Sequence, residues 1–142
     1  MSLLAGSPTL VRIMTSISIF GVTGSVGSQT AELVANDPKN FQVDTVTAGH
    51  KARELAEVAK KLSARHCVIK DPTCEAELGS YLSDSAITYS SGADQIIKAA
   101  QRPVDISVQA IVGFDGVLPS LRAAEHSKKL ALANKETIVC GI

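Results

Sequence analysis

The sequence has no tryptophan, and aromatic residues make up only 4% of its 142 positions. Its core must therefore come from Val, Ile, Leu and Ala, which suit strands and helices packed in layers. Neither sign of charge is in excess, with 14 Lys and Arg against 14 Asp and Glu. That balance argues against a nucleic-acid or membrane partner held by bulk charge. No apolar run approaches the roughly 20 residues that cross a bilayer, so the expected location is cytoplasmic. Cysteine is scarce: Cys67, Cys74 and Cys140 make an odd count with no CxxC pair, which reads as reduced thiols. His50, His66 and His126 are scattered without a metal-ligand spacing. A nucleophile elbow is absent, as is a P-loop lysine after the glycines.

What stands out against these absences is Gly21-Val22-Thr23-Gly24-Ser25-Val26-Gly27. It follows the apolar run Ile17 to Phe20 and precedes a helix-like pattern from Ser28 to Asn36. Strand, glycine-rich turn and helix together make an anion site, because the first backbone N–H groups of a helix point outward unpaired. Glycine serves where the turn is sharp and where backbone must touch ligand. The spacing is G-x-x-G-x-x-G rather than the commoner G-x-G-x-x-G. Its place between strand and helix points to a dinucleotide.

Further along, Val26, Thr30, Leu33 and Val34 are expected on the buried face of the first helix, which Asp37-Pro38 ends. Phe41 to Ala48 alternates and reads as a second strand, with Phe41, Val43, Thr45 and Thr47 on one side. A helix over Ala52 to Leu62 follows, then a strand at Cys67 to Ile69 and a short helix from Cys74 to Leu82. A fourth strand is expected at Ala86 to Tyr89, with Ser90-Ser91-Gly92 as a loop. A helix from Asp94 to Gln101, a strand from Val104 to Ala110, a helix from Gly116 to Ser127 and a strand from Leu130 to Ala133 complete the chain. Asp115 is a helix-cap candidate, and Tyr81 and Tyr89 read as packing residues. Strict strand–helix alternation predicts an α/β fold, a doubly wound parallel sheet of the Rossmann-like, dinucleotide-binding type. Residues 1–15 read as an N-terminal extension, with Met14 a possible natural start. Residues 16–142 form the binding domain, which is expected to continue into further domains.

The tip of the second strand discriminates between NAD and NADP. An acidic residue there would bind a ribose 2′-hydroxyl, and a basic one a 2′-phosphate. The tip is Ala48-Gly49-His50-Lys51-Ala52-Arg53, and the first carboxylate is Glu54. His50, Lys51 and Arg53 offer charge-assisted bonds to a phosphate, which favours NADP. Asn134, Lys135 and Glu136 follow the last strand, at the end of the sheet where α/β proteins bind ligands. Two readings of these three stay open: a ligand site, or a helix cap with its solvated first turn.

These residues together resemble the 1-deoxy-D-xylulose 5-phosphate reductoisomerase family. The resemblance rests on the glycine turn, on Ala48-Gly49, on the segment from Val112 to Leu118, and above all on Leu132-Ala133-Asn134-Lys135-Glu136. It covers Ser16 to the end. It implies conversion of 1-deoxy-D-xylulose 5-phosphate to 2-C-methyl-D-erythritol 4-phosphate, by skeletal rearrangement and NADPH reduction, in non-mevalonate isoprenoid biosynthesis. By motif, Thr23, Gly24, Ser25 and Val26 would contact NADPH, and Gly49, His50 and Lys51 would surround its 2′-phosphate. Asn134 and Glu136 would face the nicotinamide side, and Lys135 the sugar-phosphate substrate. Val22 stands where the family commonly has Ser, and His50-Lys51 where it often has Lys-Asn. The resemblance also implies a divalent metal, Mg²⁺ or Mn²⁺, whose acidic ligands are expected after residue 142, and a homodimeric full-length enzyme. No catalytic residue is then expected within the chain, and the chain by itself should show no turnover. Two other readings compete. One is the NADP-binding domain of a semialdehyde or homoserine dehydrogenase, which does not require the Asn134-Lys135-Glu136 run. The other is a nucleotide- or CoA-sensing module without chemistry.

Overall fold

The computed structural model describes residues 14–133. The strands are β1 (Thr15–Phe20), β2 (Phe41–Ala48), β3 (His66–Ile69), β4 (Thr88–Ser91), β5 (Val104–Gln109) and β6 (Ser127–Leu132). Between them lie α1 (Ser25–Ala35), α2 (Ala52–Lys61), α3 (Glu75–Leu82), α4 (Ala93–Ala100) and α5 (Val117–His126). The six strands form one sheet in the order β4-β3-β2-β1-β5-β6, and every pairing is parallel. The chain winds outward from β1 to β4, then crosses to the other side of β1 to place β5. That reversal leaves a crevice at the carboxyl ends of β1 and β5.

Each face of the sheet carries its own core. Ile17, Ile19, Val43, Val46, Ala48, Cys67 and Ile69 pack with Leu55 and Ala59 of α2 and Leu78 of α3. Phe20 and Val68 point the other way, toward Ile96, Ala99 and Ala100 of α4 and Ala123 of α5. Burial pushes the Cys67 thiol up to about 12, so it remains an inert core side chain. Both Cys67 and Cys74 are free thiols.

Several local expectations shift in the folded chain. The first helix starts three residues early, at Ser25, and buries Gly27, Ala31 and Val34. Val26 and Leu33, expected on its inner face, are 46% and 73% exposed. The buried stripe is thus shifted by one residue, to Gly27, Ala31 and Val34. The alternation in β2 also breaks. Ile17 pairs with Val43 but Ile19 with Val46, so β2 carries one extra residue opposite Ser18. This bulge switches the parity: Val43 shares a core with Val46 and Ala48 rather than with Thr45 and Thr47. The fourth strand lies two residues later than expected, because pairing with β3 joins His66 to Thr88 and Ile69 to Ser91. Ser90 and Ser91 are thus strand residues, tolerated at a sheet edge. The sixth strand begins at Ser127, where Lys128 and Lys129 interrupt the apolar run that marks a strand in sequence.

The bulge presents Asp44 to Arg102 at the end of α4. Arg102 Nε and a terminal guanidinium nitrogen donate to the two Asp44 oxygens at 2.7 and 2.9 Å. The Thr45 hydroxyl adds a bond of 2.9 Å. Burial by itself pushes the Asp44 carboxyl up, but the Arg102 and Thr45 hydrogen bonds and the guanidinium charge hold it below its ordinary value. The nearby His66 imidazole is lowered by burial and by the charge of Arg102. A carboxyl lowered on folding contributes fully above its unfolded value, about 3.9, and that contribution is lost as pH falls through the folded value. Arg102→Met should therefore destabilise the protein at pH 7 by about 1–3 kcal/mol. The lower half of that range is expected, because the Arg102 side chain is 45% exposed and solvent screens its charge. Without Arg102, burial raises Asp44 and the repulsion on His66⁺ disappears. The deficit relative to wild type should consequently shrink as pH falls toward 4. Urea unfolding of both proteins across this range checks it, and a deficit independent of pH would contradict it.

Candidate functional site

The three motif glycines meet three different environments. Gly21 directly follows β1 with φ +83°, and a Cβ there would lie 2.7 Å from the Ala110 carbonyl oxygen. It makes the sharp turn that only glycine takes easily. Gly27, in the first turn of α1, would bring a Cβ to 2.0 Å from the Gly21 carbonyl oxygen. It lets the helix seat directly on the strand end. Gly24 is different: a Cβ would meet only the Gly21 oxygen within 4 Å, at 3.6 Å. Its backbone at φ −81°, ψ 179° is ordinary, and no side chain caps the helix it precedes. The protein itself leaves the space beside Gly24 open.

Backbone bonds hold the turn in place. The Gly21 N–H donates to the Thr47 hydroxyl at 3.0 Å, and the Val22 N–H donates to the Thr47 carbonyl at 2.8 Å. On the other flank the Ala110 N–H donates to the Phe20 carbonyl at 2.8 Å. The first N–H groups of α1 have no carbonyl one turn earlier within the helix, and no acidic side chain stands in that first turn. Partial positive charge is left at the start of α1, next to Gly24.

That crevice is a cleft of about 450 Å³, within the range of small-molecule and cofactor sites. Gly21, Thr23 and Gly24 form its floor with Thr47, Ala48 and Gly49. Ile96 and Ile97 of α4, with Ile111, Val112, Phe114 and Leu118 after β5, form an apolar wall. Val112 and Phe114 are 85% and 74% exposed, so this wall presents apolar surface at the mouth. One end of the cleft offers backbone dipoles, and the other a greasy surface for a flat ring. A molecule with anionic phosphates and an aromatic end fits both.

Of the residues expected to bind ligand, Thr23, Gly24 and Gly49 line the cleft. Ser25 and Val26 sit at the exposed start of α1. His50 and Lys51 are exposed at the β2 tip and do not line the cleft. Their loop is fastened: the Asp71 N–H donates to the Gly49 carbonyl at 2.9 Å, and the Cys74 thiol to the His50 carbonyl at 3.5 Å. Asp71 accepts from the Thr73 hydroxyl and N–H, and these bonds hold its carboxyl below the usual range. Asn134, Lys135 and Glu136 lie outside the described residues, as do residues 1–13 and Cys140. Asp115 does not cap a helix but accepts from Lys70 Nζ at 2.6 Å. Lys70 itself is a cleft residue that sequence reasoning passed over. The rule that ligands bind beyond strand ends points to it, since it directly follows β3. Among the described residues, no group of His, Cys, Asp or Glu is arranged to hold a metal.

The family model described as 1-deoxy-D-xylulose 5-phosphate reductoisomerase matches residues 17–141. Enzymes of that name from Cereibacter sphaeroides (strain ATCC 17029) and Rhodopseudomonas palustris (strain BisB18) are similar. The first is 41% identical over 128 residues and the second 37% over 125, covering 89% and 88% of this chain. The chain spans only 32% and 31% of their lengths. The solved reductoisomerase from Zymomonas mobilis in complex with NADPH superposes with a TM-score of 0.89 at 33% identity, over 91% of this chain and 34% of that one. A reductoisomerase in complex with NADPH, fosmidomycin and magnesium superposes at 0.82 with 29% identity, over 89% of this chain and 31% of that one.

Proposed function

Because the chain belongs to the 1-deoxy-D-xylulose 5-phosphate reductoisomerase family, we propose that it forms the NADPH-binding part of an enzyme making 2-C-methyl-D-erythritol 4-phosphate from 1-deoxy-D-xylulose 5-phosphate. The observation that carries this reading is the open space at Gly24, just before the start of α1, beside a cleft walled by apolar side chains. In it the pyrophosphate rests on the backbone of Thr23, Gly24, Ser25 and Val26. Gly49 lets the adenosine ribose approach β2, and His50 and Lys51 surround the 2′-phosphate. Asn134 and Glu136 face the nicotinamide side, and Lys135 touches the sugar-phosphate substrate. When bound, NADPH supplies the hydride for the reductive step. The protein's own task is to hold it in one geometry and keep water from its reactive face.

The rearrangement step calls for a divalent cation to hold and polarise two substrate oxygens. The described residues do not assemble a set of ligands for it. A homodimeric enzyme in the cytoplasm belongs to the same proposal. Among the described residues no helix is long and apolar enough to cross a membrane.

The test is a cofactor and substrate panel on the protein expressed from its complete gene. NADPH oxidation should require 1-deoxy-D-xylulose 5-phosphate together with Mg²⁺ or Mn²⁺. Oxidation driven instead by a semialdehyde would favour the dehydrogenase reading. Nucleotide binding without oxidation of any substrate would favour the sensing module.

A further inference from the structure

Lys70 and Asp115 come from opposite sides of the crevice. β3 and β5 are separated in the sheet by β2 and β1, a distance of about 14 Å at the usual strand spacing. Lys70 follows β3 directly, and Asp115 lies in the 3₁₀ turn after β5 (Phe114–Gly116). Yet Lys70 Nζ and Asp115 Oδ2 are 2.6 Å apart. The pair therefore reaches over the carboxyl ends of β2 and β1, across the mouth of the cleft that both residues line.

The two ends of this bridge are anchored differently. The Lys70 N–H donates to the Ala48 carbonyl at 2.9 Å, and the next residue donates to Gly49 at the same distance. The Lys70 backbone is thus locked beside the β2 tip, the place where dinucleotide-binding sheets read the ribose 2′-position. The bond between the side chains is weakly held, being 42% exposed at Lys70 and 65% at Asp115. An exposed pair of this kind contributes little to stability and exchanges readily. A phosphate monoester carries more charge than a carboxylate and has three acceptor oxygens.

Resting on the NADPH reading above, we propose that the Lys70–Asp115 pair is a latch across the cofactor cleft. On binding, Lys70 exchanges Asp115 for the 2′-phosphate of the cofactor. Lys70 is then a determinant of NADP over NAD from within the cleft, alongside His50 and Lys51 at its rim. Asp115 is its internal competitor, holding the cation over the mouth until a phosphate displaces it.

The experiment titrates 2′,5′-ADP and 5′-AMP, which differ only in the 2′-phosphate, into the protein from its complete gene by calorimetry. Wild type should prefer 2′,5′-ADP. Lys70→Gln should weaken 2′,5′-ADP by about tenfold and change 5′-AMP by less than about twofold. Lys70→Arg should restore most of the preference. Asp115→Asn should tighten 2′,5′-ADP severalfold by removing the competitor. Equal loss of both ligands in Lys70→Gln, or no loss, would overturn the role of Lys70. Unchanged affinity in Asp115→Asn would overturn the latch. A wild-type protein without preference for 2′,5′-ADP would instead remove the NADP reading itself, and the latch with it.

Discussion

Gly24→Val should lower NADPH affinity by about 100-fold while the protein stays folded. The two halves of this result have separate physical causes. The added Cβ meets nothing closer than the Gly21 oxygen at 3.6 Å, and φ −81°, ψ 179° is a backbone conformation that valine adopts freely. The fold should lose no more than about 1 kcal/mol, the cost of a poorer residue at the start of a helix. The ligand loses more. Two methyl groups would fill the space that the proposed cofactor site leaves for phosphate oxygens at the start of α1. Charge-assisted hydrogen bonds contribute about 1.5–3 kcal/mol each, and 2.7 kcal/mol corresponds to about 100-fold in affinity. Fluorescence titration with NADPH, paired with a thermal melt, reads both halves. Affinity within twofold of wild type would remove Gly24 from the site.

Gly27→Ala should do the reverse, striking the fold first. Helix propensity alone predicts stabilisation by about 1 kcal/mol, since alanine replaces glycine within α1. Packing opposes this and is larger. The new Cβ would lie 2.0 Å from the Gly21 carbonyl oxygen and 2.8 Å from the Gly21 carbonyl carbon and Val22 Cα. All three are backbone atoms on the turn that leaves β1, so no side chain can rotate aside. Helix α1 must instead lift from the sheet, with Ala31 and Val34 leaving their buried positions. A loss of about 3 kcal/mol or more is expected, and cofactor binding should fall with it because the turn itself is displaced. Urea unfolding checks it, and a variant as stable as wild type would refute this account of Gly27. Three residues apart in one motif, the two substitutions should separate a glycine kept open for a ligand from one kept bare for packing.

Parts of the fold were legible because their signals are local. The second strand runs from Phe41 to Ala48, the expected limits, since β-branched residues there are bounded by Lys39-Asn40 and Gly49. The alternation of strand and helix survives at every position, because apolar periodicity is a property of short segments. Where a neighbour decides, the reading slipped. The parity of β2 depends on a bulge that places Asp44 against Arg102, 58 residues away. The limits of β4 depend on its register with β3 rather than on its own side chains, of which Thr88 and Tyr89 are exposed.

The site divides along the same line. Gly21, Gly24 and Gly27 announce themselves in sequence, because turn, strand and helix are contiguous there. Lys70 does not, since it becomes a cleft residue only when β3 is laid beside β2 and Asp115 is brought across from the other side of β1. The sequence by itself determined the type of fold, the glycine turn between the first strand and helix, and the family, through contiguous motifs. Tertiary structure alone decided which glycine is free to meet a ligand and which charge stands over the cleft. Those are distances between atoms far apart along the chain, and no local pattern of residues encodes them.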